Sequence, residues 1–130
     1  MSELKELAAE AKHELLTHII PFWRGMRDDK FGGYYGYLSY DLALDEKAEK
    51  GCILNSRITW FFANAYLLYK DGGISEEECE AAGFKGEDLL AEAKHGYEFL
   101  REHCIDKEYG GIFWSLNYDG TPLDLSLIHI

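Results

Sequence analysis

The segment DDKFGGYYGYLSYD at 28–41 aligns without a gap on DKEYGGIFWSLNYD at 106–119, an offset of 106 − 28 = 78 residues. Asp28/Asp106, Gly32/Gly110, Gly33/Gly111, Leu38/Leu116, Tyr40/Tyr118 and Asp41/Asp119 are identical, and Phe31/Tyr109 and Tyr35/Phe113 keep an aromatic ring. An internal repeat of this kind restricts the chain to an array, because one unit cannot bury its apolar face alone and must stack on its neighbours. The paired glycines suit a backbone that turns with positive φ. The aromatic run after them suits a strand, with Asp119-Gly120 as a hairpin turn in the second copy.

The sequence between the copies supplies the rest of the unit. Residues 3–20 place Leu4, Leu7, Ala8, Ala11, Leu15 and Ile19 at three- and four-residue steps, which predicts a one-sided helix that Pro21 ends or kinks. From about residue 54 or 55 to Lys70 the apolar side chains point all round, as in a helix that other elements enclose. Asn55 or Ser56 is its expected N-cap, and Asp71-Gly72-Gly73 its stop. Ser75 and Glu78 form a capping box for a short acidic helix that Gly83 closes. A third long helix, about 87–104, repeats the one-sided pattern. The unit is therefore a one-sided helix, a Gly-Gly hairpin and an all-round apolar helix. The second unit lacks its third part, since LSLIHI follows Asp124. Arrays usually need at least three units, so the chain reads as the front portion of a longer helical array.

With 130 residues, 47% hydrophobic and 15% aromatic, the chain is at most one ordinary domain with enough apolar mass for a core. A formal charge of −11 without a basic cluster argues against nucleic acid or anionic lipid as partner. The longest apolar run, 58–69, is too short to span a bilayer, and a soluble cytoplasmic protein is expected. Cys52, Cys79 and Cys104 are odd in number and form no CxxC pair, which points to buried or idle thiols. No metal is expected. Ser115, Asn117, Asp119 and Gly120 follow a calcium-loop spacing, but Ser115 is a poor first ligand and Ser126 stands where a bidentate Glu is needed. His13, His18, His95 and His103 show no ligand spacing and read as solvated or packing residues, and His129 carries no signal.

Two features carry binding chemistry. The hairpin aromatics, Tyr34, Tyr35, Tyr37, Tyr40, Phe113, Trp114 and Tyr118, suit either stacking on sugar rings or roofing the helices as core. Arg57 heads the oily segment NSRITWFFANAYLLY, with Trp60, Phe61, Asn64 and Leu68 on or beside its helical face. A guanidinium there either pairs with one of the 24 acids or awaits an oxyanion, which the first turn of a helix also favours.

IIPFWRGMRDDKFGGYYGYLSYD, KGCILNSRITWFFANAY and AKHGYEFLREHCIDKEYGGIFWSLNYDGTPLD resemble, in that order over 15–124, the N-terminal third of the cellobiose 2-epimerases, within the N-acylglucosamine 2-epimerase superfamily. The KG..LNSR..W element resembles the cellobiose branch more than the N-acylglucosamine branch.

The resemblance implies a mainly α fold: an incomplete portion of an (α/α)6 barrel, with short β-hairpins between outer and inner helices, over 1–124. Residues 125–130 are then a non-family tail left by truncation. It implies an isomerase that inverts C2 of the reducing-end glucose of a β-1,4 disaccharide through an enediolate, with histidine acid–base chemistry and no cofactor. Arg57 matches the family arginine that binds substrate oxygens and stabilises the developing charge. Trp60 and Tyr35 are further candidates for shaping the sugar cleft, and the partner is a small-molecule sugar. None of the five histidines here occupies the family's catalytic positions, which lie on later inner helices. The fragment alone is expected to be inactive and prone to aggregate. An N-acylglucosamine or monosaccharide 2-epimerase, a non-catalytic carbohydrate-binding module and a helical-repeat interaction scaffold are the alternatives.

Overall fold

A computed structural model describes residues 2–123 and 127–128. Helix α1 (Ser2–Glu14) runs through a π-helical turn (Leu15–Ile19) into α2 (Ile20–Gly25). An irregular hairpin leads to β1 (Lys50–Gly51) and the long α3 (Cys52–Lys70). The short α4 (Glu76–Ala81) and α5 (Gly86–Phe99) follow, α5 ending in a second π-turn (Leu100–Cys104). Short strands β2 (Ile112–Phe113), β3 (Ser115–Leu116) and β4 (Leu127–Ile128) complete the described chain. The expected tail, 125–130, lies outside the described residues apart from the backbone of β4, which pairs antiparallel with β2.

Pro21 neither ends nor breaks the first helix as expected. It sits at the start of α2, directly after the π-turn in which the Ile20 N–H bonds back to the Leu15 carbonyl. Proline has no N–H to give, and widening the preceding turn lets the helix continue past it. The expected apolar stripe on this helix also departs from its pattern. Leu4 and Leu7 are more than 60% exposed, and no residue of α1 is buried. Burial begins at Leu16 and Ile20, where the chain meets the core.

That core lies between α3 and α5. Ile58, Phe62 and Ala65 of α3 meet Leu89 and Ala93 of α5, with Tyr34 from the hairpin and Ile74, Cys79 and Phe84 from the connector closing the ends. Close approach of the helices depends on Gly96, where a Cβ would overlap Thr59, and on Gly86, where it would overlap the Tyr69 ring. The capping box forms as expected: Glu78 N–H donates to Ser75 Oγ (3.1 Å) and Ser75 N–H to Glu78 Oε1 (3.0 Å).

The sequence repeat is a structural repeat. Asp28 N–H donates to the Gly33 carbonyl (3.0 Å) and Asp106 N–H to the Gly111 carbonyl (3.0 Å). Each aspartate's Oδ1 accepts from the backbone N–H groups two and three residues ahead, which are Lys30 and Phe31 in one copy and Glu108 and Tyr109 in the other. All four glycines have positive φ. The following turns also correspond, with Ser39 N–H donating to Ala43 O and Asn117 N–H to Thr121 O. Strand β1 pairs antiparallel with β3, so the exit of the first hairpin is stitched to the second.

Candidate functional site

Helix α3 begins at Cys52, two or three residues earlier than expected, with Gly51 as its N-cap. Asn55 is therefore not the cap. It lies in the first turn and is fully buried, with Oδ1 accepting from the Tyr34 N–H (2.9 Å) and Nδ2 donating to the Gly51 carbonyl (2.9 Å). Ser56 bonds to the Ile53 carbonyl (2.7 Å). Two apolar residues ahead of the NSR triplet continue the helix backwards, because Asn55 finds stronger partners in the hairpin than at a helix end. Arg57 is consequently in the second turn, and the expectation that it shares the partial charge of the helix N-terminus falls, since that field fades within one turn.

The environment of Arg57 bears on the two roles open to it. The side chain is exposed, and among the described residues no carboxylate lies within 4.0 Å of it. Arg24, Arg27, Lys12 and Lys50, in contrast, all have carboxylate partners. Arg57 rims a cavity of about 250 Å³ walled by Trp23, Leu54, Ile58 and Phe61. An unpaired fork of donors over an apolar wall can bind an oxygen-rich ligand while presenting carbon to its ring face.

Trp60 stands three residues on, 70% exposed, on the same side of α3 as Arg57. Tyr35 is elsewhere. It lines a second depression of about 560 Å³, between the two hairpins, with Asp29, Phe31, Glu46 and Tyr118. There the Phe31 and Tyr118 rings meet edge to face at 5.5 Å between centroids. Arg57 and Tyr35 thus face different hollows. The apolar helix is not enclosed on every side: Ile53, Leu54, Trp60, Leu67 and Leu68 are all at least 37% exposed.

A buried polar framework that the sequence did not disclose positions the arginine-bearing helix. Lys50 Nζ donates to Asp28 Oδ2 (2.5 Å) and to the Gly32 carbonyl (2.7 Å), and both side chains are at most 1% exposed. Its ammonium also lies over the Phe99 ring, 5.4 Å from the centroid. Burial alone would raise the Asp28 carboxyl; the Lys50 ammonium and the two backbone N–H donors override it and hold Asp28 below the usual carboxylate range. Glu92 on α5, 2% exposed, accepts from Arg24 Nε (3.0 Å), an Arg27 terminal nitrogen (3.3 Å) and the Tyr34 hydroxyl (2.9 Å). Burial first, and then the Glu92 charge, pushes the Tyr34 phenol well above its ordinary value. The signals for this framework were Asp28, retained in both repeat copies, and Lys50 and Asn55 within KG..LNSR. His95 bonds the Gly33 carbonyl (2.8 Å) and so packs the hairpin.

No family model matches the chain. It is 48% identical over 118 residues to cellobiose 2-epimerase of Ruminococcus albus, covering 91% of this chain and 26% of that protein. Against cellobiose 2-epimerase of Eubacterium cellulosolvens it is 49% identical over 111 residues, 85% of this chain and 24% of that one. A solved sugar epimerase from a ruminal bacterium superposes with a TM-score of 0.76 at 48% identity, over 91% of this chain and 26% of that one. The cellobiose 2-epimerase of Bacillus thermoamylovorans B4167 does so with 0.78 at 38% identity, over 92% and 27%. The resemblance read from the sequence therefore holds along nearly the whole chain, and the mainly α architecture is a portion of the (α/α)6 barrel of those epimerases. The chain spans about a quarter of the length of the curated relatives it matches.

Proposed function

We propose that this chain is part of a carbohydrate 2-epimerase of the cellobiose kind and that Arg57 is the group it contributes to the reaction. The observation that carries this is the exposed guanidinium of Arg57, without a carboxylate partner among the described residues, over the wall formed by Trp23, Leu54 and Phe61. In the proposed reaction a base removes the C2 proton of the ring-opened reducing-end glucose of a β-1,4 disaccharide. An enediolate forms, with negative charge on the sugar oxygens. Donors of the Arg57 fork stabilise it, and an acid returns a proton to the opposite face of C2. Trp60, on the same helix side, is the candidate for contacting the sugar ring. Tyr35 is a candidate for a more distant contact, since it opens on the hollow between the hairpins.

The proton-transfer groups are proposed to lie beyond this chain, because no histidine lines the Arg57 cavity. The chain alone is accordingly inactive, and a sugar resting on one side of a single inner helix lacks the enclosure that gives oriented donors their effect. An N-acylated or free monosaccharide is the alternative substrate. The compartment proposed is the cytoplasm, where three unpaired thiols persist; no helix among the described residues is long and apolar enough to cross a membrane.

The test is a chimera in which residues 1–123 replace the corresponding quarter of the Ruminococcus albus enzyme, assayed for C2 inversion of cellobiose. The chimera is expected to turn over and its Arg57→Gln form to lose about a hundredfold in rate. Equal turnover by the two would overturn the assignment. Exposed rings on the hairpins, Tyr37, Tyr109 and Trp114, favour a second reading as a non-catalytic sugar-binding module. Cellobiose binding by the 130-residue chain that survives Arg57→Ala would select it.

A further inference from the structure

Two of the three thiols are neighbours. Cys52 opens α3 and Cys104 closes the π-turn after α5, and the two share one buried cluster with Phe99 and Leu116. Each is 1% exposed, and both line the wall of an open apolar cleft of about 430 Å³, with Ile53, Tyr97, Leu100 and Ile112 around them. The proximity of the two thiols holds Cys52 below the ordinary thiol range, and Cys52 first, then burial, pushes Cys104 up. Cys52 is also the first residue of a nineteen-residue helix, where partial positive charge favours a thiolate. Cys79 belongs to the other core cluster. Nothing in the proposed sugar chemistry uses these groups.

We propose that Cys52 and Cys104 form a dithiol site that a small peroxide, entering through the cleft, closes to a disulfide tying the start of α3 to the end of the helix it packs on. The Cys52 thiolate attacks one peroxide oxygen, the O–O bond breaks, and the departing hydroxide leaves as water with the proton that Cys52 lost. Cys52 is then a sulfenic acid. The Cys104 sulfur attacks the Cys52 sulfur, the S–O bond breaks, and its hydroxide leaves as a second water with the Cys104 proton. Two thiols are oxidised by two electrons in total, and one hydrogen peroxide is reduced to two waters.

The test treats the native 130-residue chain with hydrogen peroxide, alkylates the remaining thiols, and reads intact mass and a peptide map. A loss of two hydrogens, a Cys52–Cys104 linked peptide and an alkylated Cys79 are expected. Cys79→Ser should behave identically, Cys104→Ser should accumulate oxidised Cys52 without a link, and the thermal midpoint should rise on oxidation and return with dithiothreitol. A link that includes Cys79, a link formed only after denaturation, or oxidation to sulfinic acids without the two-hydrogen loss would each overturn the proposal.

Discussion

Asp28 and Lys50, twenty-two residues apart, form a buried ion pair at 2.5 Å that also reaches the Gly32 carbonyl, so the exit of the hairpin is pinned to its own first turn. Because α3 starts two residues after Lys50, this pair sets where Arg57 stands. Removing one partner strands the other charge in the interior, at a cost of about 3–5 kcal/mol. Lys50→Met is expected to lower the urea-unfolding free energy by that amount. The double variant with Asp28→Asn should recover a large part of the loss, and a fully additive loss would show the two groups to be independent.

The same aspartate makes stability depend on acid. Its folded pKa lies below its unfolded value of about 3.9, so its contribution is complete above that value and is lost as pH falls through the folded one. Tyr34 sets the alkaline side. Its folded pKa lies above the unfolded value of about 10, so its contribution is complete below that pH and disappears as pH rises through the folded value. Thermal midpoints across the pH range are expected to drop below about pH 4 and above about pH 10. Tyr34→Phe should flatten the alkaline arm.

Leu42 has φ = 65°. At the equivalent place in the second copy stands Gly120, φ = 91°, and each donates its N–H to the residue three back, Ser39 or Asn117. A leucine in the left-handed region costs about 1–2 kcal/mol, partly offset by the unfolded-state freedom that glycine adds. Leu42→Gly is expected to raise stability by about 0.5–1 kcal/mol in a denaturant titration. A loss would show that the 73%-exposed leucine makes contacts that compensate the strain.

The paired glycines of the two hairpins differ in their surroundings although all four share positive φ. A Cβ at Gly33 (φ = 67°) would lie 2.8 Å from Asn55 Oδ1 and from the Phe99 ring, whereas one at Gly110 (φ = 78°) meets nothing within 4 Å. Gly110→Ala should therefore cost only the backbone strain, about 1–2 kcal/mol. Gly33→Ala should cost clearly more, because Asn55 must give up the Tyr34 N–H. Circular-dichroism melts of the two variants compare them directly.

Arg57→Ala separates folding from chemistry. The side chain is exposed and touches no acid among the described residues, so the change should leave stability within about 0.5 kcal/mol. In the chimeric barrel it should cost about a hundredfold in epimerisation rate. A stability loss beyond 1 kcal/mol would assign the arginine a structural role.

Helix periods, the Ser75–Glu78 capping box and the Gly-Gly repeat were legible in the sequence because each is a local preference written in adjacent residues. The repeat proved to be the same turn twice, down to the Asp28 and Asp106 carboxylates that cap it. Misreadings arose where a distant partner outbid a local one. Asn55 looked like a helix cap and is instead the hydrogen-bond partner of Tyr34; Pro21 looked like a stop, and a π-turn absorbed it. The stripe on α1 has the right period but no element beside it to cover Leu4 and Leu7.

By itself the sequence determined the order of the helices, the two glycine turns and the arginine on an oily helix, since spacing and side-chain chemistry act over a few residues. Only the tertiary structure decided that Lys50, Asp28 and Glu92 are buried framework, that Arg57 has no acid within reach among the described residues, and that Tyr35 opens on a different hollow. Those outcomes depend on which charges meet across the fold, and a carboxylate dozens of residues away leaves no mark on the local pattern that a helix or turn requires.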